Sequence, residues 1–88
     1  MEVVEKLRGR GRILDSTTVL EGDVPYQITV WRQNGQTSFD GRLDVSFSSA
    51  VTFMGSAFSL LLETEDGRMF RFRMTSTTGR ISAAGAAL

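Results

Sequence analysis

Apolar and polar residues alternate along most of the chain, and no window shows a sustained apolar stripe at helical spacing. The pattern therefore predicts strands, and glycines fall at turn-like intervals between them. Asn34-Gly35 is the strongest turn signal, because both central residues of a type I′ turn need φ > 0. A two-residue loop there pairs Val30 with Phe39, Ile28 with Gly41, Tyr26 with Leu43 and Val24 with Val45. The opposite face then pairs Trp31 with Ser38, Thr29 with Asp40 and Gln27 with Arg42, so one face is apolar and the other polar.

Glu65-Asp66-Gly67 is the second turn. A two-residue loop at Asp66-Gly67 would set Leu62 against Arg71 and Leu60 against Arg73, burying charge. A three-residue loop with Gly67 in the left-handed position instead pairs Leu62 with Phe70, Leu60 with Phe72 and Phe58 with Met74. Met54-Gly55-Ser56-Ala57 is a weaker third turn, pairing Phe53 with Phe58 and Val51 with Leu60. It would end an alternating run over residues 39–53, longer than most strands, for which a short helical turn over 49–54 is the rival reading.

Residues 6–14 read as a strand with Leu7, Gly9, Gly11 and Ile13 inward and Arg8, Arg10 and Arg12 outward. Glycines there permit close approach or a sharp barrel bend. Residues 15–23 read as a loop holding a short strand at 18–20, residues 80–84 as a last strand, and residues 83–88 as a fraying tail. The inward set is Val24, Tyr26, Ile28, Val30, Phe39, Leu43, Val45, Phe47, Val51, Phe53, Phe58, Leu60, Leu62, Phe70, Phe72 and Met74. A sheet of this size without a helix to cover it must close on itself or fold over. The expectation is one all-β domain over residues 1–88, a small antiparallel β-barrel built as a meander of six or seven strands, with a sandwich as runner-up.

Composition narrows function by exclusion. With 88 residues there is room for one core. No Cys and no His are present, which removes disulfide scaffolds, thiol nucleophiles, Ser-His-Asp triads and zinc fingers. No cofactor or metal is expected. Ten basic residues balance ten acidic ones, so polyanion binding driven by net charge is disfavoured. Single-stranded nucleic acid would call for several exposed aromatics among basic residues, and Trp31 alone qualifies. The longest aliphatic run, Leu60-Leu61-Leu62, is far too short to span a bilayer. No apolar leader follows Met1, and Arg outnumbers Lys nine to one, which together suggest a cytoplasmic protein from a GC-rich bacterial genome. Asp40 and Asp44 lie on one outer strand face rather than across a cleft, so carboxylate catalysis is not expected, and the chain reads as non-enzymatic.

Two surfaces remain. Trp31, Leu61 and Met69 break the polar outer face and suggest a surface for a protein partner or for self-association into a homodimer, the leading functional reading. Arg8, Arg10 and Arg12 on one strand and Arg71 and Arg73 on another would form one anion-binding patch if those strands were neighbours, which makes binding of a small nucleotide-like anion the alternative. Arg8 and Arg12 have the RxxxR spacing, and Asp44-Val45-Ser46 follows. These four residues partly resemble the PilZ domain, a small β-barrel that binds a cyclic dinucleotide through RxxxR and [D/N]xSxxG. The resemblance implies a cyclic dinucleotide on Arg8, Arg12, Asp44 and Ser46. Ser49 stands where that motif has Gly, and Arg8 and Arg12 lie in a strand pattern instead of a mobile arm.

Overall fold

Asn34 and Gly35 adopt φ of 52° and 78°, and the hairpin they close runs in the register that their chemistry predicts, from Gln33 opposite Gln36 to Tyr26 opposite Leu43. The computed structural model describes residues 1–56 and 59–84. Its elements are β1 (Glu2–Asp15), β2 (Thr18–Gln33), β3 (Gln36–Leu43), α1 (Phe47–Met54), β4 (Leu60–Glu63), β5 (Met69–Met74) and β6 (Arg80–Ala83). The strands form a closed antiparallel barrel in the order β1-β2-β3-β6-β5-β4.

The second hairpin also follows the sequence reading. Gly67 has φ of 85°, Leu62 stands opposite Phe70 and Leu60 opposite Phe72, which leaves Arg71 and Arg73 outside. The pairing of Phe58 with Met74 lies outside the described residues.

The order is not a plain meander. β3 pairs with β6, and β4 returns to β1, so the connection from β3 to β4 crosses one end of the barrel. The long strand expected over residues 39–53 stops at Leu43, and α1 replaces its second half. Ser46 is the cause: its side chain accepts a hydrogen bond from the Ser49 N–H at 3.2 Å and caps the helix. Helical period then sends Ala50 and Phe53 into the core and leaves Phe47 and Val51, expected inside, 70% and 47% exposed. The β2–β3 ladder accordingly ends at Tyr26 opposite Leu43, short of the expected Val24–Val45 pair, and Asp44 N–H donates to the Pro25 carbonyl at 2.9 Å.

The first two strands are longer than expected. The segment 15–23, expected as a loop, turns tightly at Ser16 and continues as β2. The register against β1 slips between Gly11 and Ile13, where Asp23 takes φ of 54°, a bulge that bends the hairpin into the barrel wall. At the other end Ala83 belongs to β6, and Ala84 N–H donates to the Arg71 carbonyl. Residues 85–88 lie outside the described residues.

Closure needs close backbone approach at two glycines. A Cβ on Gly11 would sit 2.2 Å from the Glu63 carbonyl oxygen, and one on Gly41 would sit 2.1 Å from that of Gln27. Inside, Ile13, Phe39, Leu43, Leu62 and Phe72 are 1% exposed or less, and Phe39 meets Phe70 edge-on at 5.1 Å. Burying each such side chain contributes about 1.5–3 kcal/mol.

Candidate functional site

Parity along the strands decides what the barrel shows to solvent. With Leu7, Tyr26, Ile28, Leu43 and Ile81 directed inward, the residues between them face out. Cross-strand register then aligns Arg8 with Gln27, Gln27 with Arg42, and Arg42 with Arg80, one continuous outer row across β1, β2, β3 and β6. The next row, one pleat along, runs Lys6, Thr29, Asp40, Ser82 and Arg73 and reaches β5. Strand spacing sets the Arg42 and Arg80 backbones about 5 Å apart and Arg8 about 10 Å from Arg42.

Ion pairing sorts the ten cations into two groups. Arg10 pairs with Asp23 at 3.2 Å, Arg32 with Glu2 at 3.8 Å, and Arg12 with Glu63 through its Nε at 2.7 Å. Arg68 grips Glu5 with both terminal nitrogens, at 2.9 and 3.1 Å, and Asp66 through Nε at 2.9 Å. These contacts hold the Glu5 and Asp66 carboxyls below their ordinary range, Asp66 chiefly through the Thr64 hydroxyl and Glu5 chiefly through Arg68. Arg71 donates to the Ser59 hydroxyl at 3.2 Å. Among the described residues, the side chains of Lys6, Arg8, Arg42, Arg73 and Arg80 have neither an ion pair nor a hydrogen bond. All five lie in the two rows.

Two clefts flank the first row. One of about 430 Å³ lies over β2, β3 and β6, with Arg42 and Arg80 in its wall beside Thr29, Ser82 and Asp40. The other, of about 220 Å³, lies over β1, β2 and β3 and is lined by Arg8, Pro25, Arg42 and Asp44. Gln27 and Arg42 line both. The two rows and their edge thus gather five cations against Asp40 and Asp44, an excess of three on a chain whose net charge is zero.

The five arginines singled out from sequence do not form one patch. β4 stands between β1 and β5, and the register sets Arg71 level with Leu61 and Leu14, past Arg8, Arg10 and Arg12 along β1, with Arg73 further on still. Arg10 and Arg12 are engaged by acids, while Arg8 and Arg73 stay in the basic rows. Trp31, Leu61 and Met69 are also divided. Trp31 stands opposite Val3 and Leu61 opposite Leu14, eleven residues further along β1, or about 36 Å of strand. Trp31 and Leu61 are only half-exposed, and the indole Nε1 is buried without a hydrogen-bond partner among the described residues. Met69 is 45% exposed and pairs with Glu63. Of the residues that carry the PilZ resemblance, Arg8 and Asp44 share the smaller cleft, Arg12 is held by Glu63, and Ser46 caps α1.

Arg42 and Arg80 were not apparent as site residues from sequence. The Gln27–Arg42 pair is legible in the Asn34-Gly35 register, but the β3–β6 pairing joins segments forty residues apart with no local signal. Compared with protein-family models, curated proteins and solved structures, the chain matches none.

Proposed function

We propose that the protein is a non-enzymatic binding module that takes a small phosphate-bearing, nucleotide-like ligand on the outer face of β1, β2, β3 and β6. The observation that supports this most is Arg42 opposite Arg80 with Arg8 in the same row, three guanidinium groups without acidic partners among the described residues. Guanidinium forks match phosphate oxygens bidentately, so Arg42 and Arg80 together hold one phosphate, and Arg8 holds a second across Gln27. Thr29 and Ser82 supply hydroxyl partners in the larger cleft, and Pro25 offers apolar lining in the smaller one. A bacterial cytoplasm is the setting that the arginine-rich, cysteine-free composition fits. No helix among the described residues is long and apolar enough to cross a membrane.

Calorimetry with inorganic pyrophosphate and ADP tests the reading. The wild type should bind at least one of them, and either Arg42→Ala or Arg80→Ala should weaken binding tenfold or more. Arg32→Ala, at a cation already held by Glu2, should bind as the wild type does. Absence of binding at millimolar ligand, or equal binding by Arg42→Ala, would overturn it.

A further inference from the structure

Helix α1 shows apolar surface on two sides. Ala50 and Phe53 enter the core, while Phe47, Val51 and Met54, spaced four and three residues apart, form a second stripe that is 70%, 47% and 43% exposed. A surface helix ordinarily turns a polar face to water. Here that face has no charge at all: residues 45–62 include no Asp, Glu, Lys or Arg, in a chain that is 23% charged. The three side chains expose on the order of 300 Å² of apolar surface, the size of the largest patch on an ordinary monomer, which is often functional.

We infer that this stripe is the contact surface of a weak homodimer, in which α1 packs against α1 of a second copy across a two-fold axis. Charge permits a second copy as the occupant. An oppositely charged partner would find nothing on α1 to pair with, whereas the stripe of another copy is equally uncharged, and two chains of zero net charge approach without repulsion. Area supports the same occupant. Two facing stripes remove about 600 Å² of apolar surface, which at the usual apolar share corresponds to an interface of about 1,000 Å², the lower end for specific and reversible association. The inference uses none of the arginines of the phosphate face.

Sedimentation velocity on the whole chain, from about 10 µM to about 1 mM, reads the result, since interfaces at the small end of the range associate weakly and reversibly. The wild type should move from monomer to dimer across that range. Val51→Glu, at an exposed helical position that tolerates a good helix former, should stay folded by circular dichroism and remain monomeric throughout. An equimolar mixture of Val51→Glu and Val51→Lys should restore the dimer, because position 51 meets its own copy across the axis. Met69→Glu, at an exposed apolar residue elsewhere, should dimerise as the wild type does. A wild type that is monomeric at 1 mM, a Val51→Glu chain that still dimerises, a mixture that stays monomeric, or dissociation by Met69→Glu alone would each overturn the inference.

Discussion

Arg42 on β3 stands directly opposite Arg80 on β6, and neither guanidinium has an acidic partner among the described residues. Like charges directly opposite one another weaken a sheet. On the same barrel Arg12 faces Glu63 and Arg68 reaches Glu5 and Asp66, so acidic partners are placed where neutralisation is needed. An unneutralised pair of this kind is what the proposed phosphate site requires, since both guanidinium forks must be free to take the ligand.

Arg42→Gln should therefore separate stability from binding. Relief of the like-charge pair should raise stability by about 0.2–1 kcal/mol, the scale of a cross-strand pair. Affinity for pyrophosphate should fall tenfold or more. Urea midpoints read the first effect and calorimetry the second. A variant that loses stability while binding normally would make Arg42 a structural residue.

Gly41 should be intolerant of the smallest side chain. The Cβ of Gly41→Ala would lie 2.1 Å from the Gln27 carbonyl oxygen, a backbone atom that moves only if β2 and β3 separate. The expected loss is about 1–3 kcal/mol, as for other overpacked sites. Gly22→Ala meets nothing within 4 Å and should gain about 0.4–1 kcal/mol by restricting the unfolded chain. The two urea midpoints should move in opposite directions.

What was legible in the sequence follows sequence distance. The hairpins at Asn34-Gly35 and Glu65-Asp66-Gly67 could be read because turn chemistry and apolar phase are both local, and together they leave one register. Helix α1 was harder because Phe47, Val51 and Phe53 satisfy a period of two as well as part of a helical one, and the deciding residue is the Ser46 cap. The β1–β4 and β3–β6 ladders have no local signal. The patch expected from Arg8 and Arg71 therefore gave way to one built on Arg8, Arg42 and Arg80.

Phe47 and Phe72 should respond very differently to truncation. Phe72 is fully buried between Leu60 and Ala83, and Phe72→Ala should cost about 3–5 kcal/mol. That approaches the whole stability of so small a domain. Phe47 is 70% exposed, and Phe47→Ala should change stability by less than about 0.5 kcal/mol at low protein concentration. Equal losses from the two would place Phe47 in the core.

The contacts of Arg68 should make part of the barrel's stability dependent on pH. β1 pairs with β4 only at Arg12–Leu14, and nearer its N-terminus Arg68 joins β1 to the β4–β5 turn by bonding Glu5 and Asp66. Both carboxyls titrate below their ordinary range in the folded chain. A carboxyl depressed on folding contributes stability above its unfolded value and loses that contribution as pH falls through its folded one. Wild type should thus exceed Arg68→Gln in urea midpoint at pH 7, and the gap should close as the solution is acidified below the ordinary carboxylate range. High salt should shrink the gap at pH 7, because all three groups are solvent-accessible and screening at 1 M acts over about 3 Å. The two acids should also separate in a carboxyl NMR titration of Arg68→Gln. Glu5, depressed chiefly by Arg68, should titrate higher once Arg68 is gone, since burial and the Asp66 charge both act in that direction. Asp66, whose largest stabilising contact is the Thr64 hydroxyl, should remain depressed. A gap in urea midpoint that widens in acid, or a Glu5 titration unmoved by the substitution, would mean that Arg68 does not hold this seam.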